Sequence, residues 1–259
     1  MANTQTITAM SFNIWCNGDT RDKRANGVEQ TIRAAKPDSV GLQEATAEWR
    51  GLLKAALGDL YGIACDRPRE LGSSEGMPIF YLKEKYDLID EGVFWLSETP
   101  NEPSMGWDAA CPRIAGWALL RDKRAGFAYA HFNTHLDHVG EAAMLNGARL
   151  VAQRVKAMEL PAVLTGDMNV TPGSPAMEAL LAGGLTDLRE AAAATDKGAT
   201  FHHYGGPDGG KIIDYVLANG YLRRALAYRV IRDAYDGQYP SDHFAVSATF
   251  ALAKQGQET

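Results

Sequence analysis

Six places along the chain carry side chains that could act together in metal-dependent hydrolysis. In each place a polar residue stands at or near the end of a short apolar run. Carboxylate and amide oxygens suit a hard cation such as Mg²⁺, Mn²⁺ or Ca²⁺, which would relieve the repulsion between clustered carboxylates. A histidine beside a carboxylate can accept a proton near neutral pH, so the set predicts attack of water on phosphorus. The residues are Asn13, Glu44, His135, Asp167, Asn169, Asp214, Asp242 and His243.

These side chains can converge only if the apolar runs lie side by side as strands. Short apolar runs bounded by loop-forming residues predict strands. Apolar residues at every third or fourth position predict helices. One such stripe begins at Val28 and stops before Pro37, and a second covers 144–158 and stops before Pro161. The predicted strands are 7–14, 40–43, 79–82, 127–134, 162–165, 212–217, 224–231 and 244–250.

Strand-like runs recur from end to end with helical runs between them, which predicts one domain over residues 1–259. The Gly- and Pro-rich stretches 66–78, 97–113 and 198–211 are predicted to be long loops. Long loops in a compact domain are commonly functional. The polar end 253–259 is predicted to be a flexible tail.

Composition and charge narrow the function classes. The chain has 46% hydrophobic residues and a formal net charge of −6, and this acidity argues against a dedicated nucleic-acid coat, which would need Lys and Arg. Three cysteines at unpatterned spacing indicate a reducing compartment. The N-terminus has no signal-peptide pattern, and no apolar run reaches the roughly 18 residues of a membrane span. We therefore expect a cytoplasmic protein without membrane insertion, and no obligate protein partner is evident.

The segment Asn133-Thr-His-Leu-Asp-His138 allows a competing interpretation. Binuclear zinc hydrolases of the metallo-β-lactamase fold carry His-x-His-x-Asp-His, and this segment matches except that Asn133 stands at the first histidine. A zinc hydrolase of that kind would leave Gly166-Asp-Met-Asn169 and Ser241-Asp-His243 without a role. The absence of cysteine from the candidate ligand set also disfavours structural zinc.

Six short motifs occur in one order along almost the whole chain. They are Ser11-Phe-Asn-Ile14, Leu42-Gln-Glu44, Asn133-Thr-His-Leu136, Thr165-Gly-Asp-Met-Asn169, Ile213-Asp-Tyr215 and Ser241-Asp-His243. Together they resemble the endonuclease/exonuclease/phosphatase superfamily, which includes DNase I-like nucleases, inositol phosphatases and sphingomyelinases. The resemblance implies a four-layer α/β/β/α sandwich with a cleft at one edge of two packed sheets. It also implies a phosphoric ester hydrolase that depends on a divalent metal ion.

On the metal side, the resemblance makes Glu44 the principal ligand, with Asn13 and Asp242 nearby. Asp167 and Asn169 lie two apart, so both side chains point the same way in an extended backbone. The resemblance implies that this pair orients the attacking water or a second metal ion.

On the acid–base side, the resemblance makes His243 a general base or a phosphate contact that Asp214 orients. It makes His135 a group that stabilises a phosphoryl oxygen or protonates the leaving group. Arg113 resembles a phosphate-facing arginine that precedes a strand, and the arginine fork suits a phosphate. A surface salt bridge is the open alternative for Arg113.

Four residues beside these motifs allow alternative roles. Asp137 and His138 either reach the cleft or begin the loop into the next helix. His202 and His203 stand in a loop before the Asp214 strand and could shape the substrate pocket. We take Arg113, His138 and His202 as the candidate substrate contacts.

Three functions compete for this residue set. The first is hydrolysis of a phosphorylated small molecule as a phosphodiesterase or phosphatase. The second is endo- or exonuclease action on DNA or RNA with the same site; the acidic charge favours the small substrate over it. The third is a non-catalytic binding module, which the complete set of ligand-type residues disfavours.

Overall fold

The computed structural model describes residues 4–68, 70–205 and 210–253. In chain order its strands are β1 (Thr4–Asn13), β2 (Ser39–Gln43), β3 (Tyr61–Ala64), β4 (Ile79–Leu82), β5 (Tyr86–Trp95), β6 (Ile114–Asp122), β7 (Ala128–His135), β8 (Ala162–Asp167), β9 (Thr186–Asp187), β10 (Ala194–Thr195), β11 (Asp214–Ala218), β12 (Leu222–Ile231) and β13 (Ala245–Ala253). Its helices are α1 (Arg21–Ala35), α2 (Ala47–Leu57), α3 (Glu141–Ala157), α4 (Pro175–Ala182) and α5 (Leu188–Ala191).

The described strands form two sheets that pack face to face. The first has the order β10-β12-β13-β1-β2-β4-β3 and the second the order β5-β6-β7-β8-β11-β9. Helices α1 and α2 bury Val28 and Leu53 in a core shared with the first sheet. Helices α3 and α4 bury Val151 and Leu180 in a second core, with Phe132 of the second sheet. The predicted four-layer α/β/β/α sandwich is therefore confirmed.

Strand direction explains why the polar residues meet at one edge. β1 runs parallel to β2 in one sheet, and β7 runs parallel to β8 in the other. Asn13 at the end of β1 bonds Asp167 at the end of β8, so all four strands present their carboxyl ends at one edge. β11 and β13 run antiparallel to β8 and β1, so these two strands begin at that same edge. In the second sheet Asp167 is in register with both His135 and Asp214.

Helix α1 illustrates how local sequence sets an element. Its buried residues include Val28 and Ile32, which are four apart and therefore share one face. The helix ends at Ala35, and Lys36 adopts a left-handed backbone with φ of 40° and donates its N–H to the Ile32 carbonyl. Pro37 follows, as the sequence pattern predicts.

Most predicted elements are confirmed, with shifted ends. The predicted strands correspond to β1, β2, β4, β7, β8, β11, β12 and β13, and the two helical stripes lie in α1 and α3. The sequence pattern does not predict β3, β5, β9, β10, α2, α4 or α5, and only the resemblance implies β6, as the strand that follows Arg113. In β5 the register shifts between Leu88 and Asp90 and the middle of the strand is exposed, so the alternation of apolar and polar residues is lost.

The chain end and the loops agree with the sequence only in part. Ala253 is the last residue of β13, and the rest of the tail predicted at 253–259 lies outside the described residues. In the loop predicted at 198–211, residues 206–209 also lie outside them. Among the described residues no helix combines the length and the apolar character needed to cross a membrane.

Candidate active site

Asn13, the last residue of β1, ties two carboxylates together. It is fully buried, and its amide nitrogen donates to Glu44 Oε1 at 2.9 Å and to Asp167 Oδ2 at 3.0 Å. Its amide oxygen accepts the Trp15 backbone N–H at 3.0 Å. In this arrangement Asn13 acts on the two carboxylates as a hydrogen-bond donor, and its role as a metal ligand stays a prediction.

Glu44 follows β2 directly and has a left-handed backbone with φ of 60°. Its second oxygen accepts the Cys16 backbone N–H at 2.8 Å. Burial acts to raise the pKa of Glu44, but the hydrogen bonds from Cys16 and Asn13 and the charge of His243 outweigh it, so the pKa is lowered. Glu44 is therefore a carboxylate at neutral pH and can bind a cation.

Asp167 ends β8 and is almost completely buried. Burial and the neighbouring charge of Asp214 raise its pKa to about 7. Its Oδ1 accepts the backbone N–H of Asn169 at 2.9 Å, and Asn169 has a left-handed φ of 53°. The Asn169 amide donates to the Leu136 carbonyl at 3.0 Å, which fixes that side chain at the edge of the site. Both side chains lie at this edge, but the left-handed Asn169 breaks the extended backbone that the prediction assumed, and their role in orienting water stays a prediction.

His243 and Asp214 form a buried pair. His243 Nδ1 lies 2.9 Å from Asp214 Oδ2, so Nε2 faces the other acidic residues. Nε2 lies 3.8 Å from Asp167 Oδ2 and 4.0 Å from Asp242 Oδ1. Burial acts to lower the pKa of His243, but the charges of Asp214, Asp167 and Asp242 outweigh it and raise the pKa to about 10. The geometry agrees with the prediction that Asp214 orients His243.

Asp242 is held by the residue before it. Ser241 Oγ donates to the Asn13 carbonyl at 2.7 Å and lies 3.3 Å from Asp242 Oδ1. Burial and the charge of Glu44 raise the pKa of Asp242. The hydroxyl therefore joins the segment of Asp242 to the end of β1, and the carboxyl lies among other acids.

The assembled side chains fit a hard cation by their donor chemistry. Ligand atoms of Asp167, Asp214 and His243 lie within 4.8 Å of one another. His135 Nε2 lies 3.4 Å from Asp167 Oδ2. Burial, and then repulsion from a neighbouring carboxylate, raises the pKa of Asp167 beside Asp214 and the pKa of Asp242 beside Glu44. A divalent ion with oxygen ligands would relieve this repulsion.

Arg113 and His138 form one wall of the cleft. Arg113 is 5% exposed, its Nη2 lies 3.0 Å from His138 Nδ1, and its Nε lies 3.7 Å from Asp137 Oδ1. Asp137 also accepts backbone N–H groups, among them that of Gly140 at 2.7 Å. The Arg113–Asp137 ion pair is therefore buried rather than on the surface, and Asp137 positions the arginine instead of lining the cleft.

His202 lies apart from Arg113 and His138, the other two predicted substrate contacts. It is 5% exposed and stacks on Phe244 with ring centroids 4.0 Å apart, and Tyr239 covers it from another side. Burial lowers the pKa of His202 to about 4. Its imidazole is enclosed by aromatic rings, so the predicted direct contact with substrate does not fit this position. The neighbouring His203 is exposed.

A cleft of about 630 Å³ opens beside these groups. Of the predicted residues, Glu44, His135, Asp167, Asn169, Arg113 and His138 line it. The sequence analysis did not single out Ser73, Ser74 and Glu75, which also line it, although it predicts a functional loop at 66–78. The sequence analysis also did not single out Arg24. The signal that could have found it is a basic residue on the core-facing side of α1.

Comparisons with known proteins agree with this geometry. A family model described as Endonuclease/Exonuclease/phosphatase family matches residues 10–243. An endonuclease/exonuclease/phosphatase family protein from Bacteroides thetaiotaomicron is similar in structure, with 31% identity, a TM-score of 0.89, and coverage of 96% of this chain and 99% of that one. A mannosyl-6-phosphatase from the same species has 31% identity and a TM-score of 0.88 over 94% of this chain and 99% of that one.

A distant likeness extends the fold comparison. The human Nocturnin catalytic domain shares 17% identity with a TM-score of 0.75, covering 97% of each chain, which shows the shared fold alone. A search of curated proteins finds no match. The family match replaces the alternative of a metallo-β-lactamase-like zinc hydrolase. The chain belongs to the endonuclease/exonuclease/phosphatase family and is a phosphoric ester hydrolase.

Proposed function

We propose that the protein hydrolyses phosphate esters of small polar molecules with the help of Mg²⁺ or Mn²⁺, by direct attack of water on phosphorus. The observation that carries this proposal is the meeting of Glu44, Asp167 and Asp242 beside the His243–Asp214 pair at one edge of the sandwich. Carboxylates supply a cation site, and the paired imidazole supplies proton transfer.

Glu44 and Asp242 would hold the ion, and Asn13 holds Glu44 in place. A bound divalent ion draws charge from a phosphoryl oxygen and neutralises the carboxylates around it. Glu44 suits the task because hydrogen bonds lower its pKa and keep it charged. Ca²⁺ has the same preference for oxygen ligands and is a further option.

The chain's own groups account for the proton movements. His243 takes a proton from water through Nε2 while Asp214 holds Nδ1 at 2.9 Å. Asp167 and Asn169 orient that water as its oxygen forms a bond to phosphorus and the ester P–O bond breaks. His135, 3.4 Å from Asp167, gives a proton to the departing alkoxide. The products are a free alcohol and a phosphate, or a phosphomonoester when the substrate is a diester.

The charge of His243 depends on its acidic neighbours. With the carboxylates uncompensated, the pKa of His243 is raised to about 10, so the imidazole already carries its proton at neutral pH. A cation held by Glu44 and Asp242 would offset the charge of Asp242, one of the groups that raise this pKa, while Asp214 keeps its bond to Nδ1. The lowered pKa would favour His243 as a base, which supports a divalent ion in the proposal.

The lining of the cleft favours a small polar substrate over nucleic acid. Thr46, Ser73 and Ser74 offer hydrogen-bonding groups for hydroxyls, and Glu75 adds a carboxylate that would repel a polyanion. Arg113 and His138, which also line the cleft, suit a single phosphate group. The formal net charge of −6 agrees. The similar mannosyl-6-phosphatase makes sugar phosphates the first esters to test.

Metal removal tests the proposed reaction. Hydrolysis of a sugar monophosphate and of bis-p-nitrophenyl phosphate should stop with EDTA and return with Mg²⁺ or Mn²⁺. Phosphate release and p-nitrophenol absorbance report the two activities. Full activity in EDTA would overturn the metal-dependent mechanism.

A salt titration distinguishes a hydrolase of small esters from a nuclease. Cleavage of DNA or RNA should weaken steeply with ionic strength because phosphate contacts release counterions, whereas small-ester turnover should change little. Efficient, strongly salt-dependent cleavage of nucleic acid, with little activity on small esters, would favour the nuclease instead.

A further inference from the structure

Arg24 is a buried cation close to the acidic site. It lies on the core-facing side of α1 together with Val28 and Ile32, and it is 1% exposed. Arginine is almost never fully buried without a charged partner. Its surroundings therefore need an explanation.

All five N–H donors of Arg24 are bonded, and every acceptor is uncharged. The Nε group donates to a threonine hydroxyl, and the two terminal nitrogens donate to four backbone carbonyls. The acceptors are Thr20 Oγ1 at 2.9 Å, Ile14 O at 2.6 Å, Pro240 O at 3.0 Å, Trp15 O at 2.9 Å and Asn17 O at 3.0 Å.

The four carbonyls belong to two loops that carry candidate metal-site groups. Loop 14–17 follows Asn13 and supplies the Cys16 N–H that binds Glu44. Pro240 precedes Ser241 and Asp242. One guanidinium therefore joins the loop that orients Glu44 to the loop that presents Asp242.

Aromatic rings hold the guanidinium in this position. Its central carbon lies 4.9 Å from the centroid of Trp15 and 5.2 Å from that of Trp49. Trp49 is fully buried and donates its indole N–H to the Trp15 carbonyl at 3.2 Å. Loop 14–17 is thus fixed from two sides.

The burial of Arg24 carries an electrostatic cost that the acids offset in part. Burial lowers the pKa of Arg24, while the negative charges of Asp242 and Glu44, among others, act to raise it. Burying a cation without a direct ionic partner is unfavourable. The arrangement places a fixed positive charge beside carboxylates that otherwise repel each other.

We propose that Arg24 is a positioning residue for the metal site, which holds loops 14–17 and 240–242 in the geometry that binds the divalent ion. The inference rests on the proposed metal-dependent function. Arg24 acts through its hydrogen bonds to backbone carbonyls and does not itself contact substrate. Its loss should therefore weaken metal binding more than it weakens the fold.

Two variants and a control test this inference. Arg24→Met keeps the apolar stem but removes every donor, and Arg24→Lys keeps the charge with fewer donors. Arg189→Met is the control, because Arg189 is also buried, at 6% exposure, but its ion pair is with Glu190. Calorimetry with Mn²⁺ on the metal-free proteins gives Kd, and thermal unfolding gives Tm.

We expect Arg24→Met to raise the Mn²⁺ Kd at least about tenfold and Arg24→Lys about threefold, while Arg189→Met stays within about twofold of wild type. If Arg24→Met does not fold, Arg24→Lys decides the question. A folded Arg24 variant with wild-type Mn²⁺ affinity would contradict the inference and leave a purely stabilising role. Failure of the wild-type protein to bind Mn²⁺ or Mg²⁺ would instead count against the proposed function.

Discussion

Two layers of buried polar residues lie between the sheets on the same strands, and they differ in charge. On β1, β7 and β8, residues two apart point the same way, so each inner residue has an outer one beside it. The inner residues are neutral, and the outer ones include the candidate catalytic groups. The inner and outer pairs are Ser11 and Asn13, Asn133 and His135, and Thr165 and Asp167.

The inner layer is a continuous hydrogen-bonded chain. Thr165 Oγ1 lies 3.1 Å from Asn133 Oδ1, to which it can only donate, so His131 Nε2 donates to Thr165 at 2.8 Å. His131 Nδ1 then accepts from Ser39 Oγ at 2.7 Å. Gln43 completes the chain by donating to Asn133 Oδ1 at 2.7 Å. These bonds link the two sheets without any net charge.

The outer layer cannot be balanced in this way. At the same edge the outer layer also includes Glu44, Asp214, Asp242 and His243. Burial and the charge of Asp214 raise the pKa of Asp167, and burial and the charge of Glu44 raise that of Asp242. The comparison teaches that neutral groups can satisfy each other within the protein, whereas acidic groups crowded at the edge keep like charges that a cation would offset. We therefore expect changes in the outer layer to abolish activity and changes in the inner layer to lower stability with little loss of activity.

The largest expected effect is on activity, in the outer layer. His243→Ala and Glu44→Ala should each lower kcat/KM by about 10²–10³-fold, because each removes a catalytic or metal-holding group. Tm should also fall, because His243→Ala leaves Asp214 buried without its imidazole partner and Glu44→Ala removes the acceptor of the Asn13 and Cys16 donors, so kcat/KM is measured well below the Tm of each variant. Steady-state kinetics and Tm are the measurements. A variant that keeps most of its turnover would exclude that residue from the mechanism.

A smaller effect is expected on stability, in the inner layer. Thr165→Val removes the hydroxyl that bonds His131 and Asn133, and should cost about 1–3 kcal/mol for buried groups left without partners. Thr134→Val is the matched control, because the Thr134 hydroxyl is also buried but bonds only the Ile114 carbonyl among the hydrogen bonds of the described residues. Urea unfolding gives both values. Equal losses of unfolding free energy in the two variants would show that the inner layer contributes no more to stability than a single buried hydroxyl elsewhere.

The kcat/KM of Thr165→Val is the second measurement that separates the two layers. Folded Thr165→Val should keep kcat/KM within a few-fold of wild type, although Asp167 is only two residues away. A loss as large as that of His243→Ala would show that the two layers are not separable.

The smallest effect is the pH dependence that His131 confers. Burial lowers the pKa of His131 to about 3 from its usual 6.5, so the folded protein keeps it neutral while the unfolded chain binds a proton below 6.5. Its contribution to stability is complete above pH 6.5 and is lost as the pH falls from there toward 3. By linkage the loss is roughly 1 kcal/mol at about pH 6.

Comparison with a variant isolates this contribution. His131→Gln can still bridge Ser39 and Thr165 but does not titrate. Its free energy of unfolding should therefore fall less than that of wild type between about pH 7.5 and 6. Parallel pH profiles for the two proteins would contradict a neutral, buried His131.

Strong local patterns made much of the fold predictable. The strands that end in site residues, such as β8 before Asp167, are short apolar runs, and α1 and α3 have clear helical stripes. β5 was missed because a register shift and an exposed middle break its pattern. Helix α2 begins after Thr46, whose hydroxyl accepts the Trp49 N–H, but its apolar stripe is short.

The sequence predicted which residues form the candidate site better than it predicted how those residues are arranged. The ordered motifs predicted Glu44, Asp167 and His243, and the structure brings them to one edge. His202 was predicted as a substrate contact because its loop precedes the Asp214 strand, but aromatic rings enclose it. Arg24 carries no motif of its own, because its proposed role comes from joining the nearby loop 14–17 to the Pro240 carbonyl, which is far away in the chain.

By itself the sequence determined the residue types at the strand ends, the periodicity of the main elements and the family. Only the tertiary structure decided that Asn13 turns its amide nitrogen to two carboxylates, that Arg113 lies in a buried ion pair, and that Arg24 joins two loops. Residue type and periodicity are local properties, whereas hydrogen-bond partners and burial depend on which distant strands lie side by side and in what register.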